Sequence, residues 1–305
     1  MQLNRRRVLI GLGGMAAAGV PMLYLAQTSI AFQNSTLTSV SDGHLMLPAG
    51  MFFDGLPTDE LQKVRALYDL PADQLLPPCN LTLLQRGDRT ILFDAGSGPA
   101  FMPSAGDMLK SLDGLGVTAD DITDVVFTHA HPDHLWGILD DFDDLVFPNA
   151  QLMMGQDEWD YWIDPDTVNT IGEPRTGFAV GAARRLEAVG DSMAFFADSD
   201  EVLPGVTARA TYGHTPGHMS FEIADGNERL LVGGDAIGNH HLAFAHPEWA
   251  SGADQDPEMG IETRMRLLEM LAAQNMPLMG FHLPQGGLGH VVQDGDAYRF
   301  APEEV

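Results

Sequence analysis

The sequence predicts a layered α/β protein in which strands carry histidines and aspartates at their carboxyl ends. Short apolar runs of strand type alternate with helical segments along the chain. Two of these runs fold back as hairpins, one turning at Arg86-Gly87-Asp88 and one at Asp225-Gly226-Asn227. Four expected strands end on residues that carry chemistry. Residues 125–128 run into His129, 207–212 lead to His214 and His218, 230–233 stop before Asp235, and 277–281 deliver His282. In layered α/β proteins ligands gather beyond the carboxyl ends of strands.

The first thirty residues stand apart. Arg5, Arg6 and Arg7 precede an uncharged stretch rich in glycine and alanine, the layout of a bacterial export signal. Arg5-Arg6 followed by Arg7, Val8 and Leu9 resembles the twin-arginine type. Ser29-Ile30-Ala31 suits a cleavage site, so residues 1–31 are expected to be a signal peptide and the protein periplasmic or secreted. Residues 8–26 are also just long enough for an uncleaved anchor facing the periplasm, the one case that would give a stable membrane partner.

From residue 36 the elements follow in order. "LPAGMFFDG" and "CNLTLLQRGDRTILFDAGSG" read as strands, and "DMLKSLDGLG" as a helix ended by glycine. "DITDVVFTHAHPDH" is an apolar strand entering a histidine loop, and "LWGILDDF" starts a helix. Asp140, Asp141, Asp143 and Asp144 belong to a solvated end. "GQDEWDYWIDPD" is aromatic and acidic, and "GFAVGAARRLEAV" is helical. "GVTARATYG" is a strand, "HTPGH" a tight loop, and "MSFEIADGNERLLVGGDAIG" a hairpin. Residues 258–275 form an amphipathic helix with Ile261, Met265, Leu268 and Ala272 on one face. Nothing inside 36–305 reads as a linker, so this span is one domain.

Charge and cysteine narrow the chemistry. With 43 acidic against 16 basic residues the net charge is −27, which repels phosphate backbones and argues against a nucleic-acid partner. Cys79 is the only cysteine, so a metal site must be built from histidine and carboxylate. "FTHAHPDHLWG" supplies such material, with His129, His131, Asp133 and His134 inside six positions. Buried imidazoles and carboxylates each need a partner, so the alternatives are a solvated polar turn and a metal site.

"HAHPDH", "GHTPGH", "GGDA" and "GFHLP", in that order, resemble the metallo-β-lactamase superfamily over residues 36–305. The resemblance implies a four-layer αββα sandwich with its site at one edge between two sheets. It implies that His129, His131 and His218 hold one metal, that Asp133, His134 and His282 hold a second, and that Asp235 bridges them. Of the two histidines in "GHTPGH", His218 is expected at the inner base of the turn and His214 one step outside. Nitrogen and oxygen ligands suit two zinc ions, with manganese, cobalt and iron also compatible. Two such cations share a water and lower its pKa, giving a hydroxide nucleophile, with Asp133 and Asp235 as the catalytic carboxylates.

Within the superfamily the chain is most similar to methyl parathion hydrolase and the quorum-quenching lactonases, on "HPEW" and "HLPQGGLGH". The smaller lactonases place a tyrosine shortly after the bridging aspartate, whereas Ala236, Ile237 and Gly238 follow Asp235 here. The expected substrates are small lactones, esters or phosphotriesters. A β-lactam hydrolase is the enzyme alternative, and a non-catalytic metal-binding protein is the alternative of a different class. Trp159, Trp162 and Phe178 are candidates for the substrate pocket. His44, His240, His241, His246 and His290 are expected outside the ligand set, and a homodimer is left open.

Overall fold

Two seven-stranded sheets take up the apolar runs, each in simple chain order. The structure is a computed structural model and describes residues 28–303. The expected twin-arginine motif and anchor segment lie outside the described residues. The first sheet holds β1 (Ser29–Ala31), β2 (Ser35–His44), β3 (Pro78–Arg86), β4 (Arg89–Phe93), β5 (Asp124–Val126), β6 (Gln151–Gly155) and β7 (Met193–Phe196). Neighbours are antiparallel as far as β4 and parallel from β4 to β7. The second holds β8 (Glu201–Leu203), β9 (Val206–Ala210), β10 (Met219–Asp225), β11 (Glu228–Gly234), β12 (Leu278–Gly280), β13 (Leu288–Asp294) and β14 (Ala297–Pro302). There only β11 and β12 run parallel.

The period of two in the sequence decides which way each side chain faces. In β3, Leu84 joins the core between the sheets, while Leu81 and Leu83 face the outer helices. Ile91 and Phe93 of β4 meet Phe221 and Val232 of the second sheet in that inner core, with Phe93 and Phe221 at 5.3 Å between ring centroids. Each such side chain, fully buried, contributes roughly 1.5–3 kcal/mol.

Helices close both outer faces. Against the first sheet lie α2 (Met108–Gly114), α3 (Gln156–Ile163) and α4 (Thr176–Val189), burying Leu112, Trp162, Ala182 and Leu186. Against the second lies α5 (Pro257–Gln274), burying Leu267, Leu268 and Leu271 on Leu231, Leu278 and Val291. The layers are therefore helix, sheet, sheet, helix, the expected αββα sandwich. A smaller cluster built from α1 (Thr58–Tyr68) and Ala49, Phe52 and Phe53 packs beside the sandwich. Among the described residues no helix is long and apolar enough to cross a membrane.

Several expectations are corrected. Ser29-Ile30-Ala31 is strand β1, paired with Thr36–Thr38, and Ile30 is wholly buried in the inner core. The folded unit thus begins ahead of residue 36. The run "LPAGMFFDG" is strand only at Leu47–Pro48; Gly50–Phe53 is a helical turn. The helix after the histidine loop stops at Leu135 and passes into a 3₁₀ turn, Trp136–Ile138. Gly137 there donates to Gly96 and lies so near Ala95 that a Cβ would stand 2.1 Å from its carbonyl oxygen. The buried face of α5 is Gly260, Thr263, Arg264, Leu267, Leu268 and Leu271, while Met265 is exposed. An apolar count misplaces this face because Arg264 points inward, donating to Pro247 O at 3.0 Å and Trp249 O at 2.5 Å.

Candidate metal centre

Strand β5 is buried at every position and feeds Phe127 and Thr128 into the histidine loop. Pro132 opens the short helix Pro132–Leu135 at its first turn, where its missing N–H goes unneeded, and this turn places Asp133 and His134 side by side. Two clusters result. His129 Nε2 lies 3.0 Å from His131 Nδ1, which lies 2.9 Å from His214 Nε2. Asp133, His134, Asp235 and His282 form the second, their donor atoms all within 4.8 Å of one another. Asp235 stands between them: its Oδ2 is 3.3 Å from His214 Nε2 and 3.2 Å from His282 Nε2, and its Oδ1 is 3.3 Å from His134 Nε2.

The third nitrogen of the first cluster is His214, and this corrects the assignment to His218. His218 lies outside both clusters, its Nε2 accepting the backbone N–H of Asp235 at 3.0 Å. The sequence offers two equal imidazoles, and partners distant in the chain choose between them. Gln255 N–H donates to the carbonyls of Gly213 and His214, and Asp254 Oδ1 sits 3.3 Å from His214 Nδ1.

The nitrogen turned away from each cluster is also held. Thr128 Oγ1 meets His129 Nδ1 at 3.0 Å, Asp94 Oδ2 meets His134 Nδ1 at 2.8 Å, and His282 Nδ1 donates to Pro78 O at 2.7 Å. Such contacts fix ring orientation and select the nitrogen that faces the centre. Asp94 is itself buried and accepts from the Thr128 N–H and hydroxyl.

Glu158 of α3, missed by the sequence reading, ties the two ligand loops together. Its Oε1 accepts from Ala130 N at 2.9 Å and Trp162 Nε1 at 2.5 Å, and its Oε2 from Thr215 Oγ1 at 2.7 Å and Gly217 N at 3.0 Å. Gly217 permits this approach, because a Cβ there would stand 2.1 Å from Glu158 N. Burial pushes the Glu158 carboxyl up, against the four donors that favour its charge.

The donor set fits metal ions. Burial holds His129 and His131 well below the usual imidazole range, so they are neutral and their lone pairs are free. Asp133 Oδ2, His134 Nε2 and Asp235 Oδ1 are buried yet have no hydrogen-bond partner among the described residues, an arrangement that is costly unless a cation satisfies them. The separation into three nitrogens, two nitrogens with one carboxylate, and one shared carboxylate matches an oxygen- and nitrogen-coordinated pair of transition ions.

A cavity of about 220 Å³ opens onto Asp133, Asp235 and His282. Its walls are largely apolar and include Leu45, Phe52, Phe101, Met102, Phe178 and Trp249. Phe178, a pocket candidate from the sequence, is in this wall. Trp159 and Trp162 are not in this wall; Trp162 packs inside the fold, and Trp159 is half-buried at its margin. Trp162 is 1% exposed and bonded to Glu158, while Trp159 packs on Phe195 at 5.1 Å between ring centroids. The cavity tryptophan is Trp249 of the "HPEW" stretch, stacked on His246 at 3.8 Å and 5°. The other four histidines expected outside the ligand set, His44, His240, His241 and His290, join neither cluster.

A sandwich with two histidine–aspartate clusters beneath a cavity defines a metal-dependent hydrolase. The chain belongs to the metallo-beta-lactamase superfamily, whose family model matches residues 76–142 and 149–297. The structure of AidC, a dizinc quorum-quenching lactonase in complex with a product, N-hexnoyl-L-homoserine, is similar with a TM-score of 0.85 and 27% identity, covering 91% of this chain and 97% of that one. The hydrolase AbOPH is similar with a TM-score of 0.83 and 26% identity, over the same shares. An uncharacterized Bacillus subtilis (strain 168) protein, YobT, is 29% identical over 201 residues, 63% of this chain and 78% of that protein.

Proposed function

We propose that this hydrolase opens lactone rings that carry an apolar tail, using two zinc ions. The observation that carries the reading is the apolar cavity whose floor is Asp133, Asp235 and His282. The likeness to a dizinc lactonase across 91% of the chain supports it. His129, His131 and His214 would hold one ion, Asp133, His134 and His282 the other, and Asp235 both. When bound, such a pair would acidify a water and polarise the carbonyl oxygen. The water oxygen bonds to the carbonyl carbon, the ring C–O bond breaks, and the proton passes to the leaving alkoxide. Asp133, which lines the cavity, would carry that proton. Phe52, Phe178 and Trp249 would seat the tail and keep bulk water from the ring.

Elemental analysis of protein never exposed to chelator should give about two zinc ions per chain, since the donors exceed the four that one zinc uses. The same protein should be assayed on acyl lactones of increasing tail length, aryl esters, phosphotriesters and β-lactams. Lactones should rank first, with kcat/KM rising with tail length and activity lost on chelation. Faster turnover of β-lactams or phosphotriesters would sink the substrate assignment, and full activity with one ion would sink the binuclear one.

We also propose that Arg5 and Arg6 direct export of the folded protein. Because β1 contributes Ile30 to the inner core, cleavage after Ala31 would strip a strand. The cut therefore falls ahead of Thr28, or the segment stays on as an anchor. Replacing both arginines by lysine should leave the protein in the cytoplasm on fractionation; an exported double variant would rule this route out.

A further inference from the structure

Asn239 lines the same cavity as Asp133, Asp235 and His282, and is only 8% exposed. Its Oδ1 accepts the backbone N–H of Ala243 at 3.0 Å and of His241 at 3.3 Å, at the turn into the short helix Leu242–Ala245. A backbone N–H can donate only to the oxygen of a carboxamide, so these two bonds fix which way the group is flipped. The Nδ2 end has no hydrogen-bond partner among the described residues and keeps accessible surface, which leaves its N–H donors free at the cavity wall.

The charged donors around this cavity are turned to protein acceptors through at least one nitrogen each. Arg175 Nη2 donates to Gly252 O at 2.7 Å and Ala253 O at 3.1 Å. Arg264 donates to Pro247 O and Trp249 O, and it pairs with Asp254 at 3.3 Å. His246 Nδ1 is paired with Glu248 at 3.1 Å. An amide at a cavity wall with no protein partner can donate to an acceptor that a ligand supplies. A lactone brings such an acceptor, the carbonyl oxygen, which becomes a stronger one as negative charge develops on it.

We propose that Asn239 is a catalytic residue whose Nδ2 donates a hydrogen bond to the reacting carbonyl oxygen of the substrate. The inference rests on the lactonase reading above. A preorganised neutral donor lowers the barrier more than it tightens ground-state binding, so its loss acts on kcat.

Asn239→Asp separates this role from a structural one. The aspartate keeps an oxygen for His241 and Ala243 while replacing the donor by an acceptor. Expected are unchanged metal content, an unchanged thermal midpoint and a kcat lower by about tenfold or more, with KM little altered and the same loss for every tail length. Asn239→Ala should show the same fall in kcat and a lower midpoint, since it also frees two backbone amides. Wild-type kcat in Asn239→Asp would overturn the proposal, as would a fall that tracks loss of metal. Wild-type protein that cleaves aryl esters but opens no lactone would remove the lactonase reading alone, and the Asn239 comparison is then read on the ester carbonyl. Wild-type protein that cleaves neither removes both.

Discussion

His218 uses both ring nitrogens inside the protein, accepting from Asp235 N at 3.0 Å through Nε2 and meeting Thr211 Oγ1 at 2.8 Å through Nδ1. Burial pushes its imidazole down to about 3, so it is neutral and has no lone pair left for an ion. Gly234, at φ 53, makes room for it, because a Cβ there would stand 2.6 Å from Nε2. His214→Ala should remove one ion per chain and nearly all activity. His218→Ala should keep both ions and lose about 2–4 kcal/mol of stability, from a void and two stranded polar groups. Elemental analysis and urea unfolding of both variants test the pair; metal lost from the His218 variant alone would reverse the assignment.

Glu158 should behave as a clamp on the ligand loops. Glu158→Gln puts an NH2 group where two of the four donors now point, so at least one bond to an N–H becomes a clash of like groups. The first cluster should then hold its ion about 10- to 100-fold less tightly, as when a ligand's supporting contact is removed. Chelator competition measures this directly, and an unchanged metal affinity would refute the clamp.

Trp249 and Trp159 give an internal contrast. Trp249→Ala should raise KM for long-tailed substrates several-fold and leave metal content intact, because it removes cavity wall. Trp159→Ala should lower stability by about 1–2 kcal/mol, with KM unchanged, because Trp159 is half-buried and packs on the exposed Phe195. Equal KM effects from the two would mean that the cavity wall has been drawn wrongly.

Asp42 should make stability depend on pH. Burial pushes its carboxyl from 3.8 up to about 6, although Ser97 N and Met108 N both donate to it. A raised carboxyl pKa means that the folded state binds the proton more tightly than the unfolded chain. Its contribution is therefore fully present below 3.8 and is lost as pH rises to about 6, by roughly 3 kcal/mol. A carboxamide at this position does not titrate, so the stability of Asp42→Asn relative to wild type should rise across that window and then level off. A constant difference on unfolding at several pH values would exclude this account.

Six of the seven positions read as ligands from the sequence are in the clusters, because strand ends followed by dense polar motifs leave little freedom. The seventh failed for a reason that is physical. Which of His214 and His218 faces the centre depends on Glu158, Asp254 and Gln255, and none of these is near it in the chain. The pocket tryptophan failed similarly. "DEWDYW" and "HPEW" both offer aromatic residues, but α3 turns Trp162 toward Glu158 and the core, whereas the loop at 246–254 is drawn over the cavity by Arg175 and Arg264. A buried arginine on α5 breaks the rule that an apolar stripe marks the inner face, so Trp249's support was invisible to periodicity. The αββα order was carried by the family likeness, since strand runs alone do not say how sheets stack.

The order of the two large sheets divides the chain at residues 197–200: all strands of one seven-stranded sheet precede it and all strands of the other follow it. The ligand set is divided at the same place, with His129, His131, Asp133 and His134 on one side and His214, Asp235 and His282 on the other. Each cluster thus draws on both halves. An ion seated in either one would staple two leaves that already share one inner core, and a polypeptide nicked within 197–200 would reassemble in the presence of zinc more readily than in its absence. Hydrolytic competence and the joining of the two leaves would then be a single event.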